Sequence, residues 1–258
     1  MQDKKSRCSG AQPRTILITN DDGYSAQGIQ VLTDIMKQLG RVIVVAPDGA
    51  RSGAACSISS TQPVSLRQVA PDIFACSGTP VDCVKIALEK VLSRKPDLVV
   101  SGINHGDNAS ISLHYSGTVG GVLEACMKEI PAVAFSLKTR KKDCDFTPFR
   151  ETILRWAKRI LEEGLPTGTC LNINFPEVSK LAGESICRMA QGRWHTEWLD
   201  MGQDSEGKNI YTLTGTFENL EPEASDTDYW ALEHGMAAIT PLTLDLTDYP
   251  TLRVLNAP

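Results

Sequence analysis

Two adjacent carboxylates, Asp21 and Asp22, follow directly after the apolar run 15–19, in the segment Asn20-Asp21-Asp22-Gly23. Two carboxylates at the carboxyl end of a strand can both approach one hard cation, and oxygen ligands suit Mg²⁺ or Mn²⁺. Asn, Asp and Gly are also turn-forming residues, so the segment taken alone is somewhat more typical of a simple turn.

Two further oxygen-bearing side chains follow later apolar runs. Ser52 comes after the run 42–46, next to the flexible Gly53, and Asn104 follows the run 98–101. A hydroxyl and an amide oxygen are acceptable ligands for a hard cation. Each segment alone is also consistent with a polar surface loop.

A fourth segment, Ser116-Gly117-Thr118, precedes a helical pattern. Backbone N–H groups at the start of a helix, together with Ser and Thr hydroxyls, form a site that suits phosphate. The alternative is an ordinary helix cap with no ligand, which is the commoner use of these residues.

These four segments belong to a regular alternation of apolar runs and helical patterns. Such alternation predicts an α/β fold, a mostly parallel sheet with helices on both faces, whose ligands bind beyond the carboxyl ends of the strands. The predicted strands are 15–19, 42–46, 64–66, 73–76, 98–101, 132–135 and 170–175, and the predicted helices are 29–39, 81–91, a helix starting near Thr118, and 149–162.

The pattern changes after about residue 190, where β-like runs, Trp194, Trp198 and an acidic stretch replace the alternation. We therefore expect a flexible tail over 1–13, a catalytic core over 14–190, and a β-rich arm with a closing segment of the same domain over 191–258.

Composition excludes several classes of protein. The net charge of -5 disfavours nucleic acid as a partner, and there is no apolar run of the roughly 20 residues that a membrane span needs. The eight cysteines lack zinc-site spacing and the N-terminus lacks a secretory signal, which favours reduced thiols in the cytoplasm.

The Gly-x-Ser-x-Gly, P-loop and dinucleotide-binding motifs are absent. His105 and His114 could touch substrate, but histidines in exposed loops are more often bystanders, and His195 and His234 have no evident partner.

Several long motifs occur in order: ILITNDDGYSAQGI, VVAPDGARSGAACSIS, CSGTPVDCVKIAL, VVSGINHGDN and HYSGTVGGVLEA. With them, the chain resembles the SurE family of survival-protein nucleotidases over residues 14–136. LNINFP at 171–176 and DTDYWALEHGMAAITPL at 226–242 extend the resemblance.

The resemblance implies a Rossmann-like fold and a metal-dependent 5′-nucleotidase. Such an enzyme hydrolyses nucleoside 5′- and 3′-monophosphates, and sometimes short polyphosphates, with one Mn²⁺ or Mg²⁺ per subunit. It also implies a homodimer or homotetramer formed through the C-terminal arm. The implied metal ligands are Asp21, Asp22, Ser52 and Asn104, and the implied phosphate contacts are Asn108, Ser116, Gly117 and Thr118.

Two departures from the family pattern, Gly49-Ala50 and Ala109-Ser110, are expected to alter the rim of the pocket. We expect attack by a water that Asp21 or Asp22 orients or deprotonates, in preference to an aspartyl-phosphate intermediate. The alternative hypothesis is a nucleotide-binding regulatory module without catalysis. A dinucleotide-dependent oxidoreductase is disfavoured because the glycine fingerprint is missing.

Overall fold

The computed structural model describes residues 13–139, 141 and 143–257, so the predicted tail lies outside the described residues except for Pro13. The strands are β1 Thr15–Thr19, β2 Arg41–Pro47, β3 Leu66–Ala70, β4 Ile73–Cys76, β5 Leu98–His105, β6 Ala132–Lys138, β7 Thr169–Pro176, β8 Gly183–Ile186, β9 Gly192–His195, β10 Trp198–Gln203, β11 Asn209–Leu213, β12 Thr216–Asn219 and β13 Met236–Thr243. The α-helices are α1 Gln27–Met36, α2 Pro80–Ile86, α3 Gly117–Met127, α4 Arg150–Glu163, α5 Asp228–Glu233 and α6 Tyr249–Leu255. A π-helical turn, Ala87–Val91, extends α2, and short 3₁₀ helices span Ser110–Tyr115 and Thr147–Phe149.

A nine-stranded sheet of order β3-β4-β2-β1-β5-β6-β7-β13-β8 forms the centre of the molecule. The strands from β4 to β7 run parallel, while β3 is antiparallel to β4 and β13 is antiparallel to β7. The prediction of a mostly parallel α/β sheet is confirmed.

Both faces of the sheet are covered, which explains the uninterrupted apolar runs. In β1, Ile16 and Ile18 pack on the side of α1 and α4, whereas Leu17 packs on the side of α2 and α3. The apolar face of α1, including Ile29 and Leu32, is buried in the first of these layers. The carboxyl ends of β1, β2 and β5, and the segments that follow them, therefore lie at one edge of this packed sheet.

Two strands differ from the sequence prediction. The strand predicted at 64–66 is β3 at Leu66–Ala70, whose register is set by antiparallel pairing with β4. The strand predicted at 98–101 continues to His105, because β5 pairs with β6 again beyond an irregularity between Ser101 and Asn104. Asn104 thus lies within a strand rather than in the loop that follows it.

The arm, residues 191–219, contains two antiparallel pairs, β9 with β12 and β10 with β11. The chain then returns to the core, since β13 lies between β7 and β8 in the central sheet. Every residue of β10, β11 and α6 is exposed. None of the helices in the described residues is long and apolar enough to cross a membrane.

Candidate active site

The turn after β1 is closed by the side chain of Asn20. Its Nδ2 donates to the carbonyl of Gly23 at 3.0 Å, and its Oδ1 accepts the N–H of Gly23 at 3.1 Å. Gly23 has φ of +103°, a conformation that favours glycine. The turn interpretation and the site interpretation are therefore compatible, because this turn presents Asp21 and Asp22 together.

A cavity of about 710 Å³ opens where the carboxyl ends of the strands meet. Six of the eight residues predicted for the site line it: Asp21, Asp22, Ser52, Asn104, Asn108 and Ser116. The other two, Gly117 and Thr118, lie behind Asp21, where the Thr118 hydroxyl donates to Asp21 Oδ1 at 2.5 Å. Any contact of Thr118 with phosphate would therefore not use that hydroxyl while this bond is made.

Asp21 is 6% exposed, and burial raises its pKa to about 6. The Thr118 hydrogen bond opposes this rise, and the neighbouring charge of Asp22 contributes to it. Two carboxylates held this close repel each other when both are ionised, and a cation between them would relieve that repulsion.

His105 contacts the second carboxylate. Its backbone N–H donates to Asp22 Oδ2 at 3.3 Å, and its Nδ1 lies 3.5 Å from the same oxygen. Of the two interpretations of His105, contact with substrate and bystander, its position favours the first, since His105 lines the cavity. Its place next to Asn104 was the only signal available in the sequence.

The amide of Asn104 is oriented by the residue that follows its strand, Gly106. Nδ2 donates to the carbonyl of Gly106 at 2.8 Å, which leaves Oδ1 available as an acceptor. Ser52 sits in an exposed loop anchored by a 2.7 Å bond from the Arg51 N–H to the carbonyl of Asp21.

The donor set fits a hard divalent cation, since it consists of two carboxylates, a hydroxyl and an amide oxygen. Within residues 13–139, 141 and 143–257, no group of three or more His, Cys, Asp or Glu side chains could hold a metal ion. A cation at this site would therefore also need the neutral oxygens of Ser52 and Asn104.

Ser116, directly before α3, and Asn108, which is hydrogen-bonded to β6 and β7, also line the cavity. The Ser116 hydroxyl caps α3 by accepting the N–H of Val119 at 3.1 Å, and its own hydrogen stays available for an anion. The Asn108 N–H donates to Asn174 at 2.8 Å, and its Nδ2 donates to Ser136 at 2.7 Å. One Nδ2 hydrogen of Asn108 remains for a ligand.

The arm supplies the outer wall of the cavity, which sequence reasoning missed. Trp194, Glu197, Leu213, Thr214 and Gly215 line it. The expected effect of Ala109-Ser110 on the rim is wrong in position, because both residues are wholly buried. Ser110 is instead hydrogen-bonded to Asp228 and Ala190, away from the cavity lining.

The fold and the cavity define an α/β protein with a ligand cleft beyond parallel strands, in which anionic and neutral oxygens face the start of a helix. Residues 16–196 match the family described as Survival protein SurE. The chain belongs to the SurE family.

Curated relatives and a solved structure agree with this assignment. The 5′-nucleotidase SurE of Bacteroides thetaiotaomicron is 46% identical over 245 residues, covering 93% of this chain and 94% of the relative. That of Phocaeicola vulgatus is 46% identical over 245 residues, covering 93% and 95%. The crystal structure of the SurE protein from Aquifex aeolicus superposes with a TM-score of 0.81 at 37% identity, covering 93% of this chain and 98% of that one.

Proposed function

We propose that this chain is a divalent-metal-dependent phosphomonoesterase that hydrolyses nucleoside 5′-monophosphates to nucleoside and phosphate. The observation that carries the proposal is the pair Asp21 and Asp22, which shares one cavity with Ser52, Asn104 and Ser116. The name 5′-nucleotidase SurE, borne by relatives at 46% identity, supports the same activity.

Asp21, Asp22, Ser52 and Asn104 would hold the cation, either Mn²⁺ or Mg²⁺. When bound, the cation supplies Lewis acidity that offsets phosphate charge and favours ionisation of the attacking water. The Ser116 hydroxyl and the Asn108 Nδ2 donate to phosphate oxygens, and the start of α3 favours negative charge there.

An oxygen of Asp21 or Asp22 accepts the proton of the attacking water. For Asp21 that oxygen is Oδ2, because Oδ1 already accepts the Thr118 hydroxyl. An aspartyl-phosphate route is the less favoured alternative, since a carboxylate committed to a cation is a poorer nucleophile.

We also propose that the enzyme hydrolyses nucleoside 3′-monophosphates and short polyphosphates. We also propose a homodimer or homotetramer formed through the arm. The arm exposes large apolar side chains that soluble monomers rarely display together, including Trp198, Met201 and Leu213. Cytoplasmic location stays a prediction from the sequence.

The proposal is tested by phosphate release from AMP with Mn²⁺ present, for the wild type, Asp21→Asn and Asp22→Asn. Asp72→Asn is the matched control, because Asp72 pairs with Arg41 on the surface. We expect both site variants to lose about 100-fold or more in kcat, and the control to keep its activity. Near-normal turnover in both site variants would reject the mechanism.

The alternative, a nucleotide-binding regulatory module without catalysis, predicts a different outcome for the wild type. A binder would give a calorimetric binding isotherm with AMP and leave the nucleotide intact. The enzyme would release phosphate only when the cation is added. A panel of 5′- and 3′-monophosphates and short polyphosphates, assayed with several divalent cations, then defines the substrate range.

A further inference from the structure

Asp228 is a wholly buried carboxylate in the first turn of α5, and it is not among the residues that line the cavity. Its Oδ2 accepts the N–H of Ser110 at 2.8 Å, and its Oδ1 accepts the N–H of Ala190 at 2.9 Å. The Ser110 hydroxyl also donates to the carbonyl of Ala190 at 2.7 Å. Asp228 therefore joins two segments that lie 80 residues apart in the chain.

The first segment leads into the phosphate side of the cavity. Ser110 begins the 3₁₀ helix that ends next to Ser116, and it lies two residues after Asn108. Ser110 has φ of +51°, which is rare for a residue with a side chain. Such a conformation persists where surrounding contacts hold it in place, and here the contacts are with Asp228 and Ala190.

The second segment is the root of the arm. Ala190 comes directly before the arm, which carries Trp194 and Thr214 on the cavity wall. The two ends of the arm are also joined to each other, since the N–H of Leu220 donates to the carbonyl of Gln191 at 3.0 Å. The direction in which the arm leaves the core therefore depends on how Ala190 is held.

We propose that Asp228 is a positioning residue for the active site, which fixes the phosphate-side loop and the arm wall relative to each other. The inference rests on the proposed function for the meaning of that cavity. Asp228 acts through Ser110 and Ala190 and does not touch the substrate.

The chemistry of the junction requires a carboxylate. Both oxygens of Asp228 accept backbone N–H groups, and these hydrogen bonds favour the ionised form, against the burial that raises the pKa of this carboxyl. An asparagine of the same shape offers one acceptor oxygen, and its NH₂ group would face the other N–H donor. Asp228→Asn therefore loosens one of the two segments at nearly constant volume.

The experiment compares the wild type, Asp228→Asn and the control Asp226→Asn, all with Mn²⁺ present. Asp226 lies two residues before Asp228, but its carboxylate is exposed and pairs with Arg188. The readouts are kcat and KM for AMP, the dissociation constant of inorganic phosphate measured by calorimetry, and the thermal midpoint. We expect Asp228→Asn to raise KM and the phosphate dissociation constant about tenfold, with kcat changed less than about threefold. The control should leave all three constants unchanged.

Asp228 would have a merely structural role if Asp228→Asn lowers the thermal midpoint but leaves KM and phosphate affinity unchanged in the folded protein. Should that variant fail to fold, Ser110→Ala removes only the hydroxyl bond to Ala190 and should raise KM about threefold. An unchanged KM and phosphate affinity there would overturn the proposal. A wild type that binds phosphate but leaves AMP intact would reject the proposed function, while the phosphate affinities would still decide the role of Asp228.

Discussion

Gly117, the first residue of α3, is packed against the candidate catalytic pair. A Cβ added there would lie 2.9 Å from Asp21 Cβ and 3.2 Å from both Asp21 Oδ2 and Pro80 Cγ. Carbon atoms pack at roughly 3.5–4.0 Å, so Asp21 or the start of α3 must move by about 0.6–1 Å in Gly117→Ala. The move would also disturb the hydrogen bond from Thr118 to Asp21.

A displacement of about 1 Å at a reacting group can cost about 100-fold in rate, so we expect kcat/KM for AMP to fall about 10- to 100-fold. Overpacking costs about 1–3 kcal/mol of stability, offset by roughly 0.4–1 kcal/mol from replacing a helical glycine. The variant should therefore stay folded, with a thermal midpoint only a few degrees lower, measured by calorimetry.

Gly183→Ala is the matched control, because the nearest atom to its added Cβ is 3.9 Å away, its φ is not positive, and it does not line the cavity. Its kcat/KM should equal that of the wild type. A kcat/KM of folded Gly117→Ala within about twofold of the wild-type value would refute this prediction.

Three further variants probe the turn, the cavity wall and the outer fold. Asn20→Ala removes both hydrogen bonds to Gly23, so urea unfolding should show a free energy of unfolding about 1–3 kcal/mol lower than that of the wild type. Phosphate release from AMP should slow about tenfold or more, because the turn no longer holds Asp21 and Asp22 in place. Unchanged kinetics would contradict the role of this turn. Tyr115→Ala removes a cavity-lining ring that is 61% exposed. If the base stacks on it, KM for AMP should rise about 5- to 100-fold while KM for glycerol phosphate stays constant, and equal effects on both substrates would exclude stacking. Burial raises the pKa of Glu184, but hydrogen bonds, chiefly from Arg155, lower it more, so it lies below the usual 4.5. A lowered carboxyl pKa gives stability that is complete above pH 4.5 and is lost as the pH falls through the folded-state pKa. Glu184→Gln should therefore be about 1–2 kcal/mol less stable than the wild type at pH 7, as measured by urea unfolding. This difference in stability should shrink when the unfolding is repeated below pH 4.5. A difference that does not change with pH would contradict a stabilising ion pair between Glu184 and Arg155.

Much of the architecture follows from local patterns in the sequence. Uninterrupted apolar runs such as those in β1 and β2 indicate strands covered on both faces, and parallel strands bring the segments after them to one edge. The sequence therefore predicts that Asp21, Asp22 and Ser52 share one cleft, and the structure has all three in one cavity.

Other features depend on tertiary pairing that no local pattern encodes. Asn104 lies inside β5 because that strand resumes its pairing with β6 after an irregularity. The arm forms a wall of the cavity because of where the chain leaves the core at Ala190, whose N–H donates to the distant Asp228. The sequence marked Asp228 only as part of the motif at 226–242.

The central claim is that the oxygen cluster around Asp21 and Asp22 holds a divalent cation that phosphate release requires. The most direct measurement is phosphate release from AMP by protein treated with a chelator, followed by stepwise addition of Mn²⁺ or Mg²⁺. We expect no phosphate release after chelation, and recovery of release on addition of the cation in the wild type but not in Asp21→Asn. Full turnover by the chelated wild type, or equal recovery in Asp21→Asn, would contradict it.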